Sequence, residues 1–91
     1  MSSPRRPLNY ALLKYFTTVE SADVDAVMAA LGDEYGELAA FRRDRLIESL
    51  MTAEKNGLIQ EAGARLDANG DVCVSYRADE GQRKTINFYI N

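Results

Sequence analysis

Between Ala40 and Glu61 the chain reads AFRRDRLIESLMTAEKNGLIQE, and no other stretch restricts the fold as tightly. Leu46, Ile47, Leu50, Met51 and Ala53 recur at the three- and four-residue spacing that gathers side chains on one side of an α-helix. Arg42, Arg43, Arg45, Glu48, Ser49, Thr52 and Lys55 fill the other side. Asn56-Gly57 then offers a residue free to enter the left-handed conformation that ends helices, and Leu58-Ile59 follows as a fresh apolar pair. The pattern predicts a helix over 40–56 that stops and gives way to extended chain.

Upstream, Ser2 to Pro7 carries two prolines and two arginines without apolar periodicity, which predicts a flexible arm over 1–7 whose Arg5 and Arg6 are either solvated or reach phosphates. Asn9 can cap a first helix over Tyr10 to about Thr18, with Ala11, Leu12, Tyr15, Phe16 and Val19 as its stripe. Ser21 is a candidate cap for a second helix, carrying Val24, Val27, Met28 and Leu31 and stopped by Gly32. Glu20, Asp23, Asp25, Asp33, Glu34 and Glu37 form an acidic block over 20–37 with no Lys or Arg among them. In the connection to the third helix, Tyr35 either stands free as a contact residue or packs onto the core, and an apolar body with a polar tip favours packing at the edge of a small core.

Downstream, a strand near Ala62 to Asp67 would place Ala62, Ala64 and Leu66 on one face, and Asn69-Gly70 is a strong hairpin signal. Val72, Val74 and Tyr76 alternate with Cys73, Ser75 and Arg77 in a second strand. Cys73 has no neighbour in sequence that would make it a reactive thiolate and reads as a small packed or semi-exposed residue. The last stretch fits two patterns. As a helix capped by Asp79 it lines up Ile86, Tyr89 and Ile90; as a strand it alternates Ile86, Phe88 and Ile90 with Asn87 and Tyr89.

A helix closing in Asn56-Gly57-Leu58-Ile59, followed by a polar hairpin tip, resembles the third helix and wing of winged helix-turn-helix proteins. Tyr76-Arg77-Ala78-Asp79-Glu80-Gly81 resembles the strand-to-helix junction of PadR and MarR bacterial regulators, although Ala78-Asp79 replaces their Leu-Thr pair and Gly81 comes one position early. The resemblance implies an α+β winged helix-turn-helix domain over 8–91: a three-helix core, a β-hairpin wing and a short C-terminal helix. In that fold the third helix commonly lies in the DNA major groove. It therefore implies a transcriptional regulator in which Arg42, Arg43, Arg45, Ser49 and Thr52 meet double-stranded DNA and Arg65 meets a phosphate. Terminal helices make dimers in those groups, which points to Ile86, Phe88, Tyr89 and Ile90 as a homodimer interface.

Charge argues on the other side. Eleven basic against fourteen acidic residues leave a net charge of −3 and a sequence pI near 4.8, the wrong sign for neutralising phosphates. Acids facing a phosphate backbone weaken binding over a Debye length of about 8–10 Å. The arginines of the third helix could equally pair with Glu37 or Asp33. The alternative is a winged-helix module for protein contact, in which the acidic 20–37 face meets a basic partner and no DNA is bound.

An enzyme is not expected. Without histidine there is no imidazole base, and a single cysteine can form neither a structural zinc site nor an internal disulfide. No glycine-rich phosphate loop occurs, and no cofactor or metal is expected. No apolar run is long enough for a membrane span and the N-terminus lacks a signal-peptide core, so the expected location is cytoplasmic.

Overall fold

The computed structural model describes residues 6–90 and is α+β, with four helices and one two-stranded antiparallel hairpin. The first helix, α1, spans Leu8–Tyr15 and starts earlier than the capping pattern predicts. Pro7 holds the extended backbone ahead of the helix, and its carbonyl accepts from the N–H groups of Tyr10 and Ala11 at 3.0 and 2.9 Å. Asn9 therefore lies inside the helix. The helix ends sooner than Thr18 because the hydroxyls of Thr17 and Thr18 donate to the carbonyls of Lys14 and Tyr15 at 2.6 and 2.7 Å, an alternative to continuing the ladder.

Asp23, not Ser21, caps α2 (Val24–Tyr35), its carboxylate accepting from the N–H of Ala26 at 2.9 Å. The helix runs through Gly32 and ends at Gly36. Glycine inside a helix costs about 1 kcal/mol; the further turn buries Tyr35 to 2 % exposure, and the Tyr35 hydroxyl donates to the Arg6 carbonyl. Packing outweighs the local stop signal. The Arg5 part of the predicted arm lies outside the described residues.

Helix α3 (Arg43–Lys55) begins three residues later than the predicted 40 and buries Leu46, Leu50 and Ala53; of the rest of the predicted stripe Ile47 is half-buried and Met51 is exposed, because the apolar run is wider than the face that meets the core. It closes at Asn56, and Gly57 takes φ of +77° with open space where a Cβ would stand. Gly57→Ala should therefore cost about 1 kcal/mol from backbone conformation alone. A urea midpoint unchanged from wild type would show that the turn relaxes.

Strand β1 (Gln60–Leu66) starts two residues before the predicted one and pairs with β2 (Val72–Arg77), with a register irregularity between Glu61 and Gly63. Glu61 to Leu66 are all exposed, so Ala62, Ala64 and Leu66 face no core. At the tip only Gly70 takes a positive φ, +83°. Asp67 organises this five-residue turn, its Oδ1 accepting from the N–H groups of Asn69 and Asp71 at 2.9 and 3.0 Å. Cys73 and Tyr76 are both buried, which strict alternation along β2 would not give.

On its other edge β2 meets Ala22, which exchanges two backbone hydrogen bonds with Tyr76 at 2.9 and 2.8 Å. The last stretch is helical: α4 spans Glu80–Tyr89, opened by a reciprocal capping box between Asp79 and Gln82. Arg83 ties α4 back, donating to the carbonyls of Ala78 and Val19, each at 2.9 Å. Lys14 of α1 donates to Asn87 and to the Ile90 carbonyl. One hydrophobic cluster joins all four helices and β2, with Phe16, Val27, Leu46, Leu50, Ile59 and Ile86 at its centre. No helix among the described residues is long and apolar enough to cross a membrane.

Candidate functional site

At 3.6 residues per turn, the buried stripe of α3 fixes what its other sides present. The ridge opposite Leu46, Leu50 and Ala53 is made of Asp44, Glu48, Met51 and Lys55, all exposed. The residues predicted to touch DNA split to either side of it. Arg45, Ser49 and Thr52 line a cleft of about 450 Å³ against α1, where the Ser49 hydroxyl lies 3.4 Å from the Asn9 side-chain oxygen. Arg43 turns the other way, toward α2 and the hairpin. Arg42 precedes the helix and pairs with Asp44 at 3.1 Å. Among the described residues Arg45 has no carboxylate partner.

Arg43 and Arg65 are committed to carboxylates. The Arg65 guanidinium spans two of them, its Nε 3.0 Å from Asp23 and its Nη2 2.8 Å from Asp25. Arg43 meets the other oxygen of Asp25 at 3.2 Å and Asp67 of the turn at 3.7 Å. These ion pairs join the start of α2, the start of α3, β1 and the hairpin turn. Neither Glu37 nor Asp33 supplies these contacts. Asp23, Asp25 and the Cys73 sulfur lie within 4.8 Å of one another, a spacing that could suit a metal ion, but the two guanidinium groups already neutralise both carboxylates.

The protonation equilibria follow the contacts. Hydrogen bonding to Asp25 raises the Arg43 pKa, and hydrogen bonding to Asp23 and then Asp25 raises that of Arg65. Burial pushes Asp23 up, but the Ala26 N–H and the Arg65 guanidinium outweigh it and hold the carboxyl below its ordinary value. Asp67 is also lowered, chiefly by the Asp71 N–H against an opposing burial effect. A carboxylate with a depressed folded-state pKa contributes stability above its unfolded pKa and loses it as pH falls through the folded one. The urea midpoint should thus drop below about pH 4, and Asp23→Asn with Asp67→Asn should flatten that drop. An acid limb equally steep in the double variant would assign the loss to other carboxylates.

The four residues predicted for a dimer interface also divide. Ile86 and Ile90 are buried in the chain's own core, because α4 lays that stripe against it. Phe88 and Tyr89 stand out at 78 % and 75 % exposure, their rings edge to face with centroids 5.0 Å apart. Of the acidic block, Asp23 and Asp25 are engaged by the two arginines just described. The sequence carries no local signal for Arg83 as a stitch to the link after α1, since its acceptors are backbone carbonyls set by packing.

Comparison of the chain with protein-family models, with curated proteins and with solved structures gave no match in any of the three.

Proposed function

We propose that this chain is a winged-helix domain that works by protein contact and is not a reader of double-stranded DNA. The winged-helix reading is supported by the order of elements: α1, the Ala22 segment paired to β2, α2, α3, then the hairpin and α4. Contact without DNA is supported above all by the outward ridge of α3, where Asp44 and Glu48 sit at the position a groove-reading helix gives to base- and phosphate-contacting side chains. Arg42, Arg43 and Arg65 are already paired with Asp44, Asp25, Asp67 and Asp23, which leaves Arg45 and Lys55 as the cations of α3 without a carboxylate partner among the described residues. Such a surface has little to gain from counterion release. The reading is non-enzymatic.

Fluorescence anisotropy of a labelled mixed-sequence duplex, titrated with the full chain at low salt, tests this. No saturable, salt-dependent rise is expected. A rise that weakens steeply with salt and shrinks in Arg42→Ala/Arg45→Ala would overturn the reading, since each lost phosphate contact lowers the salt slope by about 0.9.

The second reading, a DNA-binding transcriptional regulator acting as a homodimer, is favoured by two observations: Arg45 is unpaired among the described residues, and the Arg42 side chain is 61 % exposed. Its dimer contact would rest on Phe88 and Tyr89. Light scattering should then give twice the chain mass, returning to a single chain in Phe88→Ser/Tyr89→Ser. A wild-type monomer at high concentration would remove the homodimer.

A further inference from the structure

The cleft between α3 and the hairpin is lined by Ile47 and Met51 on one side and Val72 and Val74 on the other, with Glu54 and Glu61 at one end. We infer that it receives a segment of a partner protein in which an apolar side chain stands next to a lysine or arginine. This rests on the protein-contact reading and moves the partner's docking place away from the acidic 20–37 face, where Asp23 and Asp25 are already neutralised by arginines.

The apolar half of the inference comes from exposure. Met51 and Val72 are 52 % and 67 % exposed, and Leu66, paired across the strands with Val72, is 68 % exposed. Large apolar side chains gathered this way on a small domain mark contact surfaces more often than isolated ones do. The cleft encloses about 190 Å³, room for an apolar side chain but not for a cofactor.

Its basic half comes from charge. Among the described residues, neither Glu54 nor Glu61 has a lysine or arginine within ion-pairing distance, whereas Asp23, Asp25, Asp44 and Asp67 all do. Both carboxylates act on the Tyr76 hydroxyl, whose pKa is raised first by burial and then by Glu54 and Glu61. At the other end Arg43 is neutralised by Asp25 and Asp67. A purely apolar occupant would desolvate two carboxylates without a counter-charge, which is costly, and an anionic one would be repelled. A cation beside an apolar group satisfies both demands.

Panning a phage-displayed random peptide library against the full chain, followed by fluorescence polarisation of the selected peptides, tests the inference. The expected peptides carry Lys or Arg adjacent to Leu, Ile, Met or Phe. Their affinity should fall about tenfold in Glu54→Lys/Glu61→Lys, fall similarly in Met51→Asp, and weaken with salt. Phe88→Ser/Tyr89→Ser should leave it unchanged. All substituted positions except the half-buried Glu54 are exposed, and far-ultraviolet circular dichroism with a urea midpoint confirms that each variant is folded. Peptides lacking a basic residue, or binding indifferent to the cleft variants, would overturn the inference while leaving the protein-contact reading in place. Failure to select any peptide, with saturable binding to duplex DNA, would overturn both.

Discussion

Phe16→Ala is expected to lower the unfolding free energy by about 3–5 kcal/mol, the range for removing a buried aromatic ring. Phe16 is fully buried at the C-terminal end of α1, edge to face with Tyr15 at a centroid distance of 5.7 Å, and belongs to the cluster that joins the helices. Small domains have only about 5–15 kcal/mol in total, so the variant should lose a large share of its stability and unfold at a much lower urea concentration. Urea titration followed by circular dichroism measures this. A loss below about 1 kcal/mol would mean that the neighbouring side chains collapse into the space, or that the ring does not pack as described.

Ile86→Ala should cost about 2–5 kcal/mol. Ile86 is 1 % exposed and is the residue through which α4 enters the core, while Phe88 and Tyr89 on the same helix face solvent. The substitution distinguishes two uses of the C-terminal stripe. If Ile86 holds the chain's own core, stability falls and does so independently of protein concentration; if it contacted a second copy, the loss would shrink on dilution. Phe88→Ser provides the contrast and should change stability by less than about 0.5 kcal/mol, as surface substitutions do. Equal losses for the two variants would contradict the orientation of α4.

Where a pattern is local, the amino-acid order was sufficient. The Leu46, Leu50 and Ala53 part of the α3 stripe, the helix end at Asn56-Gly57, the hairpin about Gly70 and the Asp79 cap of α4 each follow from side-chain spacing or from one residue's backbone freedom, and each is present. The choice between helix and strand for the last segment was not local. Its periodicity fits both, and the helix is accompanied by the capping box and by docking of Ile86 and Ile90. Gly32 misled because burying Tyr35 acts from outside the window in which a stop signal is read; Ser21 misled locally, since Asp23 is an equally good cap two residues on and is the one that meets the Ala26 N–H.

The candidate site divides along the same line. That Arg42, Arg43 and Arg45 stand at the head of a two-faced helix is written in the chain, and so is the net negative charge. Which arginine remains available is not. Arg65 meets Asp23 across 42 positions and Arg43 meets Asp25 across 18, pairings created only when α2, α3 and the hairpin pack together. Spacing along a chain fixes which side of a helix a residue occupies, because helix geometry is set by the backbone. The partner across the gap is chosen by how whole elements dock, and there the tertiary structure alone decided that two arginines meet acids while Glu54 and Glu61 lack a cation among the described residues.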